Sequence, residues 1–419
     1  MFLSVLNGLS KAGHTLAARD LLGHFENLSC KPDVRAYSAV INGLCKHNMA
    51  DDALHLLSRM IEKGISPNVV TYSSLIQGLC DVGRWKDVKD LLNEMVDYKV
   101  SPNVMTYNIL VDAVCKEGRV EEAENVLEIM VQRNVCPNIV TYNALMDGYC
   151  LRGQMGKAKR VLYSLADRGL TPNIISYNSL INGYCKHGMV DEAWHLFLEV
   201  SCKGLQHNTV TYNTMIHGLF CKGRFADGWK LFNDMQARSV MPDLQTYNIL
   251  LDGLCRTQQI AQAFSFLCMM EDTGIKPNII AYAIVIDGLC KGGKLEIARD
   301  LFNQLPSKGL QRDTDTYSII IGSLCQEGLT EDAKVLLSEM EKSGCAPNSV
   351  TYNVMIQGFL KRNELYNAMP HMEEMYKRGF LVDSSTASML VDQLQGKGKD
   401  DVLLELIKKV VPKTDLFSF

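Results

Sequence analysis

The chain has 419 residues, with 43 Lys and Arg against 47 Asp and Glu, a formal net charge of -4 and a sequence pI of about 6.2. Bulk charge therefore gives no support to nucleic-acid binding, and any such function must rest on a local basic stripe. No apolar run approaches the roughly 20 residues of a membrane span, so no transmembrane segment and no membrane partner is expected.

Length alone would suggest two or three globular domains. One spacing overrides that expectation: Tyr recurs at 37, 72, 107, 142, 177, 212, 247, 282, 317 and 352, always 35 residues apart. A fixed period in this range marks a solenoid, which grows by stacking units and needs no single large core. Counting from the residue three before each Tyr, the complete units are 34–68, 69–103, 104–138, 139–173, 174–208, 209–243, 244–278, 279–313, 314–348 and 349–383. Residues 1–33 are the same unit without its first two positions, with Gly8, Gly13, Pro32 and Asp33 in phase. Residues 384–419 form a degenerate C-terminal capping unit, with Ala387 where Tyr belongs. Met1 falls inside a repeat, so no transit or signal peptide is visible, and the chain is expected to be a truncated or processed form.

Within a unit the period is helical. In 104–138, Tyr107, Leu110, Val111 and Val114 lie at i, i+3, i+4 and i+7, the apolar face of a first helix. Ala113 holds a position that is Gly43, Gly78, Gly148 and Gly183 in other copies, a small residue that lets helices approach closely. Gly118 follows as a left-handed stop, and the equivalent residue is Gly or Asn in all complete units but one. A second helix is predicted from about Val120. Glu121 and Glu122 suit its N-terminus, and Ala123, Val126, Leu127 and Met130 form its buried stripe. Pro137 and Asn138 close the unit. The predicted fold is all-α, an α-solenoid of about twelve stacked 35-residue antiparallel helix pairs.

Fourteen cysteines raise the question of a disulfide framework. Eight of them (Cys45, Cys80, Cys115, Cys150, Cys185, Cys255, Cys290 and Cys325) occupy one repeat position. Equivalent positions of stacked helix pairs lie on the order of 10 Å apart, whereas a disulfide needs Cα atoms within roughly 7 Å. They read as small buried hydrophobes in a reducing compartment. Met60, Met95, Met130, Met235, Met270, Met340 and Met375 share another position and read as core. His371-Met372-Glu373 has the H-x-E spacing of a zinc deaminase, but no downstream C-x-x-C follows. His47, His187 and His217 read as solvated helix surface. Lys291-Gly292-Gly293-Lys294 and Gly396-Lys397-Gly398-Lys399 lack the phosphate-loop pattern and a preceding strand. No metal, cofactor or catalytic residue is expected.

The phrases Val140-Thr141-Tyr142-Asn143, Ile181-Asn182-Gly183-Tyr184-Cys185-Lys186, Asp191-Glu192-Ala193 and Thr171-Pro172-Asn173 resemble the pentatricopeptide repeat family over essentially the whole chain. The uniform 35-residue units are similar to the P-type subfamily, particularly fertility-restorer-like members of plant mitochondria. The resemblance implies a right-handed superhelix that binds single-stranded RNA along its concave face, one base per repeat. It also implies which residues read: the one after the Tyr and the last of the unit.

A physical rationale accompanies that rule. A terminal Asp offers only acceptors and suits uracil or guanine, while a terminal Asn can donate to the ring nitrogen of cytosine or adenine. Asn after the Tyr goes with pyrimidines, and short Ser leaves room for purines. Ser38/Asn68 and Ser73/Asn103 then read adenine. Asn108/Asn138, Asn143/Asn173 and Asn178/Asn208 read cytosine with uracil tolerated. Asn213/Asp243 reads uracil and Asn248/Asn278 cytosine. Ala283/Asp313 is open, Ser318/Asn348 reads adenine and Asn353/Asp383 uracil. The expected core target is 5′-AACCCUC-N-AU-3′.

The residue two before each Tyr is expected to sandwich bases: Val70, Met105, Val140, Ile175, Val210, Ile280 and Val350, with Arg35 stacking by its guanidinium plane and Gln245 off-pattern. Asp315, Ala283 and the lost turn proline at Arg312 make 279–348 the expected weak segment. Lys46, Lys116, Lys186, Arg256, Lys291 and Lys361 near the end of the first helix form a candidate phosphate ladder. The alternative is that they complement the helix C-terminus or pair with an acid four residues back, as Asp252 with Arg256. The expected role is organellar, mitochondrial before chloroplast: RNA-end stabilisation, transcript processing or translation, with a nuclease or other processing factor as partner, the chain monomeric on RNA. A protein- or peptide-binding scaffold is the rival. The confinement of variation to Ser/Asn/Ala after the Tyr and Asn/Asp at the unit's end is what favours RNA.

Overall fold

The computed structural model describes residues 2–26, 32–272, 274–396 and 409. Among them are 23 α-helices, two short 3-10 segments and no strand. The expectation of an all-α repeat solenoid holds. The chain divides into two compact units, Met1–Phe232 and Asn233–Phe419.

In the first unit the helix pair of 104–138 shows how sequence makes structure. The first helix runs Val104–Lys116, and Tyr107, Leu110, Val111 and Val114 are all buried. Gly118 ends it at φ 73°, and Arg119 N–H reaches back to Val114 carbonyl at 3.0 Å. That is the left-handed stop with its six-to-one bond. The second helix, Val120–Gln132, has Glu121 and Glu122 in its first turn and buries Val120, Ala123 and Met130. Its end was not foreseen. Asn134 is also left-handed, at φ 58°, and Val135 N–H bonds Met130 carbonyl at 3.0 Å. Both turns therefore close by the same device before Pro137 re-extends the chain.

First helices stack on first helices, and a cysteine and a glycine set the spacing. A Cβ built on Gly148 would lie 2.5 Å from Cys115 Sγ, and one on Gly183 2.4 Å from Cys150 Sγ. With these backbones as they stand an added methyl would clash, so glycine permits the close approach here, while Ala113 and Ser323 hold the same position in two other repeats. The cysteines at this position are free thiols, and burial pushes Cys45, Cys80, Cys115, Cys150 and Cys185 up to about 12.

The second unit repeats the scheme. First helices begin at 244, 279, 314, 349 and 384. Gly288 lies against Cys255 and Gly358 against Cys325 as in the first unit. The second helix of 279–313 is shortened to Leu295–Gln304 and continued by a 3-10 turn, Pro306–Lys308. Pro306 supplies no N–H, which suits it to start that turn. Met60, Met95, Met130, Met235, Met270, Met340 and Met375 are fully buried. No described helix is long and apolar enough to cross a membrane, and no described His/Cys/Asp/Glu group could hold a metal ion.

Candidate nucleic-acid interface

The last residue of each repeat proves to be the N-cap of the next first helix. Asn138 sits in extended backbone, and its Oδ1 accepts the N–H groups of Val140 and Thr141 at 3.0 and 3.1 Å. The Thr141 hydroxyl in return accepts Asn138 N–H at 3.0 Å, closing a capping box. The same box forms at Asn68, Asn103, Asn173, Asn208, Asp243, Asp313 and Asn348, with Thr or Ser three residues on. Asn278 caps Ala281 N–H without a reciprocal hydroxyl, and Asp383 caps Thr386 N–H at 2.7 Å. Sequence reasoning missed the cap, although an Asn/Asp followed three residues later by Thr signalled it.

The cap also fixes polarity. Backbone donors hold one oxygen inward, so the other atom of the group turns away from the helix end. In Asn that atom is the amide nitrogen, a donor; in Asp it is the second oxygen, an acceptor. Asn68, Asn103, Asn208, Asp243 and Asp383 are exposed, and Asn138, Asn173, Asn278, Asp313 and Asn348 half-buried.

The residue after the Tyr meets this cap. Asn108 Nδ2 donates to Asn138 Oδ1 at 3.3 Å, and Asn178 Nδ2 to Asn208 Oδ1 at 3.2 Å. Ser38, Ser73 and Ser318 reach the hydroxyls of Thr71, Thr106 and Thr351 at 2.8, 2.9 and 2.8 Å. Those threonines in turn donate to Asn68, Asn103 and Asn348. Asn353 Oδ1 accepts Asp383 N–H at 3.1 Å. Six of the expected pairs are thus brought together. No hydrogen bond joins Asn143 to Asn173 or Asn248 to Asn278, and Ala283 has no polar group to offer Asp313. Asn213 is buried at the end of the first unit and Asp243 caps a helix of the second.

Flanking these pairs, Val70, Met105, Val140, Ile175, Val210, Ile280 and Val350 are 53–61% exposed. Arg35, Gln245 and Asp315 are exposed at the same position. One groove in the first unit is lined by Met105, Val140 and Ile175 together with Asn108, Asn138, Asn143 and Asn173. Asp112 and Asp147 line it too, and burial raises the Asp147 carboxyl despite a hydrogen bond from Ser179. Sequence reasoning gave Asp147 no role.

The cation ladder divides. Lys116, Arg256 and Lys291 pair with Asp112, Asp252 and Asp287 at 2.6, 2.7 and 2.6 Å. Lys46, Lys186 and Lys361 have no carboxylate within 4.0 Å among the described residues. Arg312, in place of a turn proline, lies 4.4 Å over the Phe302 ring and pairs with Glu339 at 2.7 Å. His207 replaces the proline as well, stacked on Phe197 at 3.9 Å. His371 is stacked on Phe359, and burial lowers its pKa, a packing role. His47, His187 and His217 are exposed. Lys291–Lys294 is a repeat turn, with Gly293 at φ 68°. Lys397–Lys399 of the second Gly/Lys motif, and most of 384–419, lie outside the described residues.

A family model described as the PPR repeat family matches residues 32–81, 69–116, 103–151, 137–177, 172–221, 207–256, 248–291, 277–326, 312–361 and 347–395. Comparison with curated proteins returned no match in sequence. Among solved structures, maize PPR10 is 23% identical, with TM-score 0.51, covering 94% of this chain and 65% of its own. This chain therefore spans just under two thirds of that protein's length. PPR10 in complex with an 18-nt psaJ RNA element aligns at 22% identity and TM-score 0.43, covering 97% and 71% of the two chains. Yeast Rmd9p in complex with a 16-nt target RNA aligns at 9% identity and TM-score 0.42, covering 93% and 84%.

Proposed function

The chain belongs to the PPR repeat family, and from that premise we propose that it binds single-stranded RNA one base per repeat, without catalysis of its own. The observation that carries this reading is the groove of the first unit, where Asn108/Asn138 and Asn143/Asn173 lie among the exposed Met105, Val140 and Ile175. Apolar surface left open at one register accepts a base face, and each stacked base contributes roughly 1–3 kcal/mol. The polar pair beside it meets the base edge.

The target in this reading is 5′-AACCCUC-N-AU-3′. The protein is a P-type, fertility-restorer-like factor acting on mitochondrial transcripts, with chloroplasts the second choice. Its footprint protects an RNA end, governs access of ribosomes, or directs a separate nuclease, and it works as a monomer on RNA.

The capping role gives the scaffold rival a specific argument, since caps favour Asn and Asp for stability alone. Capping accepts Ser and Thr nearly as well, yet neither occurs at Asp33, Asn68, Asn103, Asn138, Asn173, Asn208, Asp243, Asn278, Asp313, Asn348 or Asp383. Gel-shift titration decides between them. Binding on the order of nanomolar to the target, and at least about tenfold weaker to a scrambled oligomer, is expected of ten reading units. Equal affinity for both removes the reading.

A further inference from the structure

In five of the repeats one buried hydroxyl is unexplained by folding alone. Thr71, Thr106, Thr141, Thr211 and Thr351, third in their first helices, are fully buried. A capping box needs only the contact to the N-cap residue, but these hydroxyls reach a second partner. Thr141 Oγ1 donates to Asn108 Oδ1 at 2.5 Å as well as to Asn138 Oδ1 at 3.2 Å. Thr211 Oγ1 donates to Asn178 Oδ1 at 2.7 Å and Asn208 Oδ1 at 2.9 Å. Thr71, Thr106 and Thr351 bridge Ser38, Ser73 and Ser318 to their caps in the same way. In each case the threonine belongs to one repeat and both of its partners to the repeat before.

Three complete repeats lack the threonine: Ala36 follows no reading pair, and at the other two the preceding reader is left incomplete. Ser176 stands at the position after Asn143/Asn173, and its hydroxyl is spent on Asn173 at 3.2 Å. Ala281 stands at the position after Asn248/Asn278 and has no hydroxyl. Asn143 Oδ1 and Asn248 Oδ1 are buried side-chain oxygens without a hydrogen-bond partner. The coincidence has a plain cause: the hydroxyl that would donate to them is absent or turned to the cap. An Asn whose oxygen accepts a fixed O–H holds one amide orientation, with its N–H groups on a known side. Without that donor the two amide orientations come closer in energy, and a flipped amide exchanges donor for acceptor at the base edge.

We infer that the third residue of each first helix is a positioning residue for the nucleotide read by the preceding repeat, so that Ser176 and Ala281 loosen discrimination at the Asn143 and Asn248 repeats. This rests on the RNA reading proposed above and adds a residue class outside the two readers. Its signature is an offset of one repeat: substitution of Thr141 alters the base preference of 104–138 and of no other repeat.

Binding of the full chain to the target oligomer and its single-base variants tests the idea. Thr141→Val keeps the shape and removes the hydroxyl. Its expected effect is a loss of about fivefold in cytosine preference at the third nucleotide, the worth of one neutral hydrogen bond, with preferences elsewhere unchanged. Ala281→Thr is the reverse arm and sharpens preference at the seventh nucleotide by about the same factor; it carries the test if Thr141→Val, which also weakens a cap, fails to fold. Asn108→Ser is the control for the reading itself and moves preference at the third nucleotide toward adenine. If Asn108→Ser shifts that preference while Thr141→Val and Ala281→Thr leave theirs unchanged, the threonine is a folding residue only and the inference is overturned. If Asn108→Ser also changes nothing, base reading by these pairs fails and the inference fails with it.

Discussion

Asn138→Asp separates the two roles that meet in one side chain. As a cap the substitution is nearly neutral, because Asp and Asn rank together at this position. The new carboxylate still accepts Val140 and Thr141 N–H and Asn108 Nδ2, all now bonded to Asn138 Oδ1. Negative charge at a helix N-terminus adds about 0.3–1 kcal/mol, so stability should hold or rise slightly. The outward atom changes from donor to acceptor, and the complementary base edge changes from the ring nitrogen of cytosine to the ring N–H of uracil. A discrimination of about 1–3 kcal/mol should therefore reverse sign at the third nucleotide. Asn138→Ala is the companion, losing about 0.5–2 kcal/mol of cap stability. Thermal melting gives the first quantity and binding to the C and U oligomers the second. A melting point lowered by Ala and kept by Asp, with cytosine preferred throughout, would make Asn138 a cap and nothing more.

Gln258 is the one residue at the first-turn stop that is neither Gly nor Asn, and it is held at φ 59°. Gln258→Gly should stabilise by about 1 kcal/mol, read as a higher urea midpoint; a lower midpoint refutes the strain. The thiols of Cys45, Cys80, Cys115, Cys150, Cys185 and Cys255 are raised from 9 to about 12 by burial. An unfolded thiol ionises first, so their contribution is complete below pH 9 and disappears as pH climbs toward 12. Melting should fall steeply in that window, and at pH 8 a maleimide should label the exposed Cys136, Cys202, Cys221 and Cys268 well before the buried set; uniform labelling contradicts the burial. Asp147→Asn removes a carboxylate from the groove and should tighten RNA binding by about 0.3–1 kcal/mol. Because burial raises that carboxyl, wild-type binding should also tighten as pH falls while the variant gains less; equal pH profiles remove Asp147 from the interface.

The fold was legible because its information is translational. Ten tyrosines at one spacing place the first helices, and Gly118 with its counterparts places the stop after them. What escaped was chemistry shared between repeats. Asn138 read as the close of one unit, whereas its hydrogen bonds belong to the start of the next. Thr141 read as part of a family phrase, although a polar residue on an otherwise buried face already asks for a partner. The second left-handed turn hid behind variable residues: Gly64 and Gly169 announce it, but Lys99, Asn134 and Ser239 adopt the same conformation without a glycine. Side-chain pairing of the cations was half visible, since i, i+4 spacing names Asp112, Asp252 and Asp287 as partners but only geometry shows that they engage.

The cap sets the terms on which repeats can diverge. A residue that starts a helix tolerates few side chains, and most replacements cost about 0.5–2 kcal/mol at every copy. Asn and Asp are the pair that keeps an inward acceptor for the backbone while offering opposite polarities outward. Exchange between them, as between Asn208 and Asp243, leaves the helix start intact and, on the proposed reading, alters what the groove asks of a base. The residue after the Tyr is freer, since Ser, Asn and Ala all fit against the next helix, and it varies more in size than in charge. On the proposed reading, recognition changes along two nearly independent axes, polarity at the cap and size after the Tyr, while contacts such as Cys115–Gly148 and Cys150–Gly183 between first helices hold the spacing.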